Sequence, residues 1–86
     1  MANVGEVKTH VAASVEGTEQ AVLGIQGVTD RIDEALTRLR LTATGSVHPS
    51  VLTAINQLEQ AKSRLDEAAT LARSAIDSAN VYRSIL

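Results

Sequence analysis

The sequence has no cysteine, no tryptophan and no phenylalanine, and Tyr82 is its only aromatic residue. Without cysteine there are no disulfides, no thiol chemistry and no cysteine-ligated zinc. With a single aromatic side chain there is no platform on which successive bases of a single-stranded nucleic acid could stack. Neither sign of charge is in large excess: the formal net charge is -2 and the pI is near 5.5. That leaves no basic field to hold nucleic acid or an anionic membrane. No apolar run approaches the roughly 20 residues needed to span a bilayer. Met1 to Glu6 lacks the basic and apolar regions of a secretory signal. The expected location is cytoplasmic, or secreted without a cleavable signal peptide.

What is present is aliphatic. Hydrophobic residues make up 44% of the 86 residues, and nearly all are Ala, Val, Leu and Ile. A single domain of this length buries a modest share of its surface when folded alone, so partners or self-association are expected.

Apolar residues recur at spacings of three and four on both sides of one break, Thr44-Gly45-Ser46-Val47-His48-Pro49-Ser50. Before it, Val4, Lys8, Val11, Val15, Thr18, Val22, Ile25, Thr29, Ile32, Leu36 and Leu39 occupy alternating d and a positions of a heptad. After it, Val51, Ile55, Leu58, Lys62, Leu65, Ala69, Ala72, Ile76, Ala79, Arg83 and Leu86 do the same. Neither frame slips, as expected of a helix packed along its whole length. The pattern predicts an all-α fold in one domain, residues 1–86: an antiparallel two-helix hairpin, completed to a four-helix bundle by dimerisation. Helix 1 is placed at about 3–43, the loop at about 44–49 and helix 2 at about 49–85.

Local signals support those bounds. Asn3 with Glu6 three residues on reads as a capping box. Arg38 and Arg40 suit the negative end of the first helix, and Gly45 suits a left-handed stop. Pro49 fits the first position of the second helix, with His48 as a loop or capping residue and Val47 and Leu52 as a hydrophobic staple. Helices of this length predict a rod of roughly 55–60 Å at about 1.5 Å per residue.

In an antiparallel pair, facing residue numbers share a constant sum. A sum of about 94 leaves the break as the loop. It layers Leu39 with Ile55, Leu36 with Leu58, Ile32 with Lys62, Thr29 with Leu65, Ile25 with Ala69, Val22 with Ala72, Thr18 with Ile76 and Val15 with Ala79. Large side chains face each other only near the loop. Toward the open end they face Ala or Thr, where the helices can approach closely. Lys62, the polar intruder in the seam, is expected either to snorkel toward Glu59 or Asp66 or to fix register. Glu34 and Arg38 are spaced for an i,i+4 pair. Three glycines, weak layers and the like charges of Lys8 and Arg83 mark the N-terminal stretch of helix 1 as the part that frays or adapts to a partner.

Two features point to assembly. Ala54, Ala61, Ala68 and Ala75 repeat at one heptad position beside the seam, and Val7, Ser14, Ala21, Val28 and Ala35 take the equivalent place on helix 1. The apolar stripe is therefore three positions wide, as in bundles. Ala13, Gly17, Gln20, Gly24 and Gly27 form a strip of mostly small residues away from the seam. Each mid-helix glycine costs about 1 kcal/mol relative to alanine, so the strip is a candidate for close approach of another helix. The candidate interface residues are accordingly Ala13, Gly17, Gly24, Gly27, Ala54, Ala61, Ala68 and Ala75.

Catalytic patterns are missing. His10 and His48 fall at opposite ends of the rod, no Glu-x-x-His pair exists for a di-metal bundle, and no serine sits in Gly-x-Ser-x-Gly. Gly24-Ile-Gln-Gly27 lacks the lysine and preceding strand of a phosphate loop. The chain reads as a non-enzyme without cofactor, metal or small-molecule substrate. Its expected partner is a second copy or a helical protein, with no nucleic acid and no membrane insertion.

Two amphipathic helices of similar length around the Gly45 turn, in a short, acidic, cysteine-free chain, resemble the WXG/ESX-type small proteins of type VII secretion. The resemblance covers the whole chain as architecture. It implies a helical hairpin exported folded, as a dimer, with a partner or a larger toxin. No tryptophan precedes Gly45, and Tyr82-Arg-Ser-Ile-Leu86 ends without the acidic residue of that family's export motif, so no functional residue is transferred. The functional expectation is a non-catalytic interaction module, an accessory or adaptor of a secretion or toxin system. The alternative is a cytoplasmic structural or regulatory coiled-coil subunit, either a scaffold or an antitoxin-like inhibitor.

Overall fold

The computed structural model describes residues 3–45 and 48–86. Two helices account for almost all of them: α1, Val4–Gly45, and α2, Pro49–Ile85, packed as an antiparallel hairpin. The rod measures 63 × 19 × 14 Å, and its length is that of the 42 residues of α1 at about 1.5 Å each.

Both helix starts use local chemistry. Asn3 caps α1, its Oδ1 accepting from the Glu6 N–H at 2.8 Å, which occupies one of the donors that a helix start leaves without a partner. His48 caps α2 from an extended backbone conformation, and its Nδ1 accepts from the Ser50 N–H at 3.1 Å. Pro49 takes the first helical position, where a missing N–H costs nothing. The expected staple partner Val47 lies outside the described residues, and Leu52 is exposed.

The end of α1 differs from expectation. The helix runs through Gly45, and no described residue has a positive φ, so Gly45 is not the left-handed stop. Thr44 keeps helical geometry, its hydroxyl donating to the Arg40 carbonyl at 2.9 Å. With the end moved outward, Arg38 and Arg40 lie outside the last turn, where the helix dipole has little hold on them.

The seam follows the heptad frames. Val15, Val22, Leu36 and Ala69 are buried, Leu36 to 1% exposure, and all four are a positions. The other frame residues from Val11 to Leu39 and from Val51 to Arg83 are half-buried. The expected register holds: Val15, Thr18, Ile76 and Ala79 line one cleft, and Ile25 and Ala69 another. Val15 and Val22 are buried in the open-end half although the register sets only half-buried Ala79 and Ala72 opposite them. Thr18 and Thr29 fit the seam by donating their hydroxyls to the Ser14 and Ile25 carbonyls, at 2.7 and 2.9 Å. Asn80 leaves its Oδ1 buried without a hydrogen-bond partner.

Candidate interaction surface

Interhelical ion pairs show how the hairpin is turned. Arg40 Nη2 lies 2.7 Å from Glu59 Oε1, and Lys62 Nζ lies 2.8 Å from Asp33 Oδ1. Arg40, Glu59 and Asp33 all occupy heptad position e, so the e rows of both helices share one side of the rod. A cleft of about 380 Å³ lies on that side, lined by Ile25, Gln26, Thr29, Asp30, Asp66, Ala69, Thr70 and Arg73.

Lys62 therefore does not reach along its own helix to Glu59 or Asp66. It crosses to Asp33, beside the Ile32 that the register sets opposite it. The hydrogen bond and charge of Asp33, with a smaller contribution from Asp66, hold the ammonium above its ordinary value, against partial desolvation and the nearby Arg40. Glu34 and Arg38 form no ion pair within 4 Å, so that expected contact is absent.

The g rows lie together on the other side. A cleft of about 180 Å³ there is lined by Ser14, Val15, Thr18, Ala75, Ile76 and Ala79, none of them charged. Ser14 and Ala75 are g residues of opposite helices, so the alanine row of α2 and its counterpart on α1 form one continuous surface. Next to each g row is a c row: His10, Gly17, Gly24, Arg31 and Arg38 on α1, and Ser50, Gln57, Arg64, Leu71, Ser78 and Ile85 on α2.

The charges divide between the two sides. All ten carboxylates of the chain, Glu6, Glu16, Glu19, Asp30, Asp33, Glu34, Glu59, Asp66, Glu67 and Asp77, occupy b, e or f. None occupies c or g. The only formal charges on the c and g rows are Arg31, Arg38 and Arg64, all exposed and none in an ion pair. Toward the open end the same surface is uncharged and carries exposed Val28, Leu71, Tyr82 and Ile85, with Leu71 and Ile85 71% and 75% accessible.

The candidate interface residues fall into three places. Ala54 and Ala61 are half-buried at the edge of the seam, and Ala68 and Ala75 are exposed on the carboxylate-free side. Gly17 and Gly24 are exposed at c and border that side, whereas Ala13 and Gly27, also exposed, are f residues on the back. A Cβ added at Gly17, Gly24 or Gly27 meets nothing within 4 Å, so none of these glycines is required by packing inside the hairpin. The strip is thus divided between two surfaces, and only Gly17 and Gly24 adjoin the alanine rows. Sequence reading missed the arginine trio, although plotting charges on the heptad frame would have revealed it.

Among the described residues, no group of three or more His, Cys, Asp or Glu is placed to hold a metal ion. Among the same residues, no helix is long and apolar enough to cross a membrane. No protein-family model, curated protein or solved structure matches the chain.

Proposed function

We propose that this chain is a non-catalytic interaction module, a helical hairpin that completes a four-helix bundle with a second copy or with another helical chain. The observation that carries this reading is the carboxylate-free side of the rod. There the g rows, with Leu71, Tyr82 and Ile85, leave a continuous apolar surface in water. Contiguous apolar surface of this kind marks a binding face, because isolated soluble chains rarely expose it. The geometry suits a coiled-coil-like partner: small residues along the middle admit a helix at short distance, and larger side chains at the margin supply area.

Leu71→Arg tests the reading. The substitution puts a charge on the apolar margin of the surface without touching the seam, so the variant keeps its helicity and melting temperature. Its association with itself or with a co-purified partner, read by light scattering and pull-down, is lost. Association that persists in this variant overturns the assignment of the face.

The resemblance to type VII secretion proteins extends the proposal to an accessory role in a secretion or toxin system. Finding the chain in the culture medium of intact cells supports that role. Strict retention in the cells favours a cytoplasmic scaffold or inhibitor.

A further inference from the structure

The reading above leaves the occupant of the carboxylate-free face unnamed, and the charge pattern selects one. Resting on that reading, we propose that the face takes an amphipathic helix of a different protein, with carboxylates on both flanks of its apolar stripe in the part lying toward the loop. The register places Arg31 and Arg64 level with each other on opposite margins. Val28 and Ala68 then Ala35 and Ala61 form the floor between them. Arg38 stands one heptad nearer the loop than Arg31, about 10.5 Å along the helix. A helix lying on that floor passes between guanidinium groups on either side.

These arginines have no acidic partner of their own. On the helix surface their neighbours three or four residues away include the carboxylates Glu34 and Glu67, but these sit one position further out, at f, and neither forms an ion pair. Both symmetric ways of covering the face with a second copy leave the trio without an acid. With the two rods parallel, Arg31 meets Arg64 and Arg38 meets Gln57. With the rods antiparallel and fully overlapped, the trio lies over His10, Gly17, Gly24, Leu71 and Ser78 of the other copy, none of them acidic. Guanidinium groups are then desolvated against apolar surface with nothing to offset the cost. Carboxylates carried by a different helix answer all three arginines, and complementary charge selects partners more strongly than it adds affinity.

The test uses the full chain and two synthetic helical peptides with the same Leu/Ala stripe. One carries Glu on both flanks of the loop-facing half, and the other carries Lys there. Binding is followed by fluorescence anisotropy at about 0.05 and 0.5 M salt, where screening lengths differ about threefold. The Glu peptide should bind roughly tenfold more tightly than the Lys peptide, the effect expected of a few exposed charge pairs, and high salt should shrink the gap. In a variant carrying Arg31→Glu, Arg38→Glu and Arg64→Glu the preference should reverse, with helicity kept because all three side chains are exposed. Equal binding of both peptides to the wild-type chain overturns the inference. A wild-type dimer at tens of micromolar that Leu71→Arg disrupts also overturns it, yet leaves the module reading standing. If neither peptide binds and no dimer forms, both fall.

Discussion

The two sides of this rod are built from the same helices and the same heptads, and they do opposite things. The e side carries both interhelical ion pairs: Arg40 and the seam residue Lys62 are matched by Glu59 and Asp33. The c and g side has no acid at all and leaves its cations and its largest exposed side chains facing water. Charge that is satisfied inside the chain contributes to holding the hairpin. Charge and apolar surface left unsatisfied are available to something else.

Changes in the seam between the two sides should have the largest effect. Leu36→Ala removes the most deeply buried side chain and should cost about 2–5 kcal/mol, the range for a leucine cavity. Urea titration followed by circular dichroism measures it. Because both sides rest on this seam, association should weaken as well, unlike in the surface variants. Next is Gly24→Ala, bordering the open side. A Cβ there meets nothing, so the helix should gain up to about 1 kcal/mol in the same titration. Gly24→Leu should keep much of that gain and obstruct docking, which separates the helix cost of this glycine from its use.

A smaller contrast sets two arginines against each other. Arg40→Ala breaks an exposed interhelical pair and should cost about 0.2–1 kcal/mol, less at high salt. Arg64→Ala on the other side breaks no pair and should leave stability unchanged within about 0.5 kcal/mol. Equal losses would mean that the two sides are not different in kind.

The smallest effect concerns pH. Lys62 is held above its ordinary value by Asp33, so the folded state keeps this proton more tightly than the unfolded chain does. The pair therefore stabilises the fold below the usual lysine value, near pH ~10.4, and that contribution is lost as pH rises through the raised value. Melting temperatures across this alkaline range should fall with pH in the native chain, and the fall should be shallower in Lys62→Met.

Much of the fold was legible in the residues. Pro49 preceded by a residue able to cap, and Asn3 three residues before Glu6, set the helix starts because capping is local chemistry. The frames set the seam because each helix must bury one stripe. The end of α1 was less legible: a glycine permits a left-handed stop but does not impose one, and Gly45 stays helical. The partner of Lys62 was misjudged for a similar reason. Asp66 and Glu59 are its neighbours along α2, but Asp33 is distant in sequence and comes within 2.8 Å only across the packed pair.

The sequence by itself determined two helices, their buried faces and their register, all of which follow from the spacing of aliphatic residues along a 3.6-residue repeat. Only the tertiary structure decided which rows stand beside each other. An e row and a g row flank the seam equally on an isolated helix, and their chemistry is separated only when the second helix is laid antiparallel. Position e then meets e, and g meets g. That pairing sets Glu59 and Asp33 beside Arg40 and Lys62 on one side, and brings the alanine rows together with three unpaired arginines on the other.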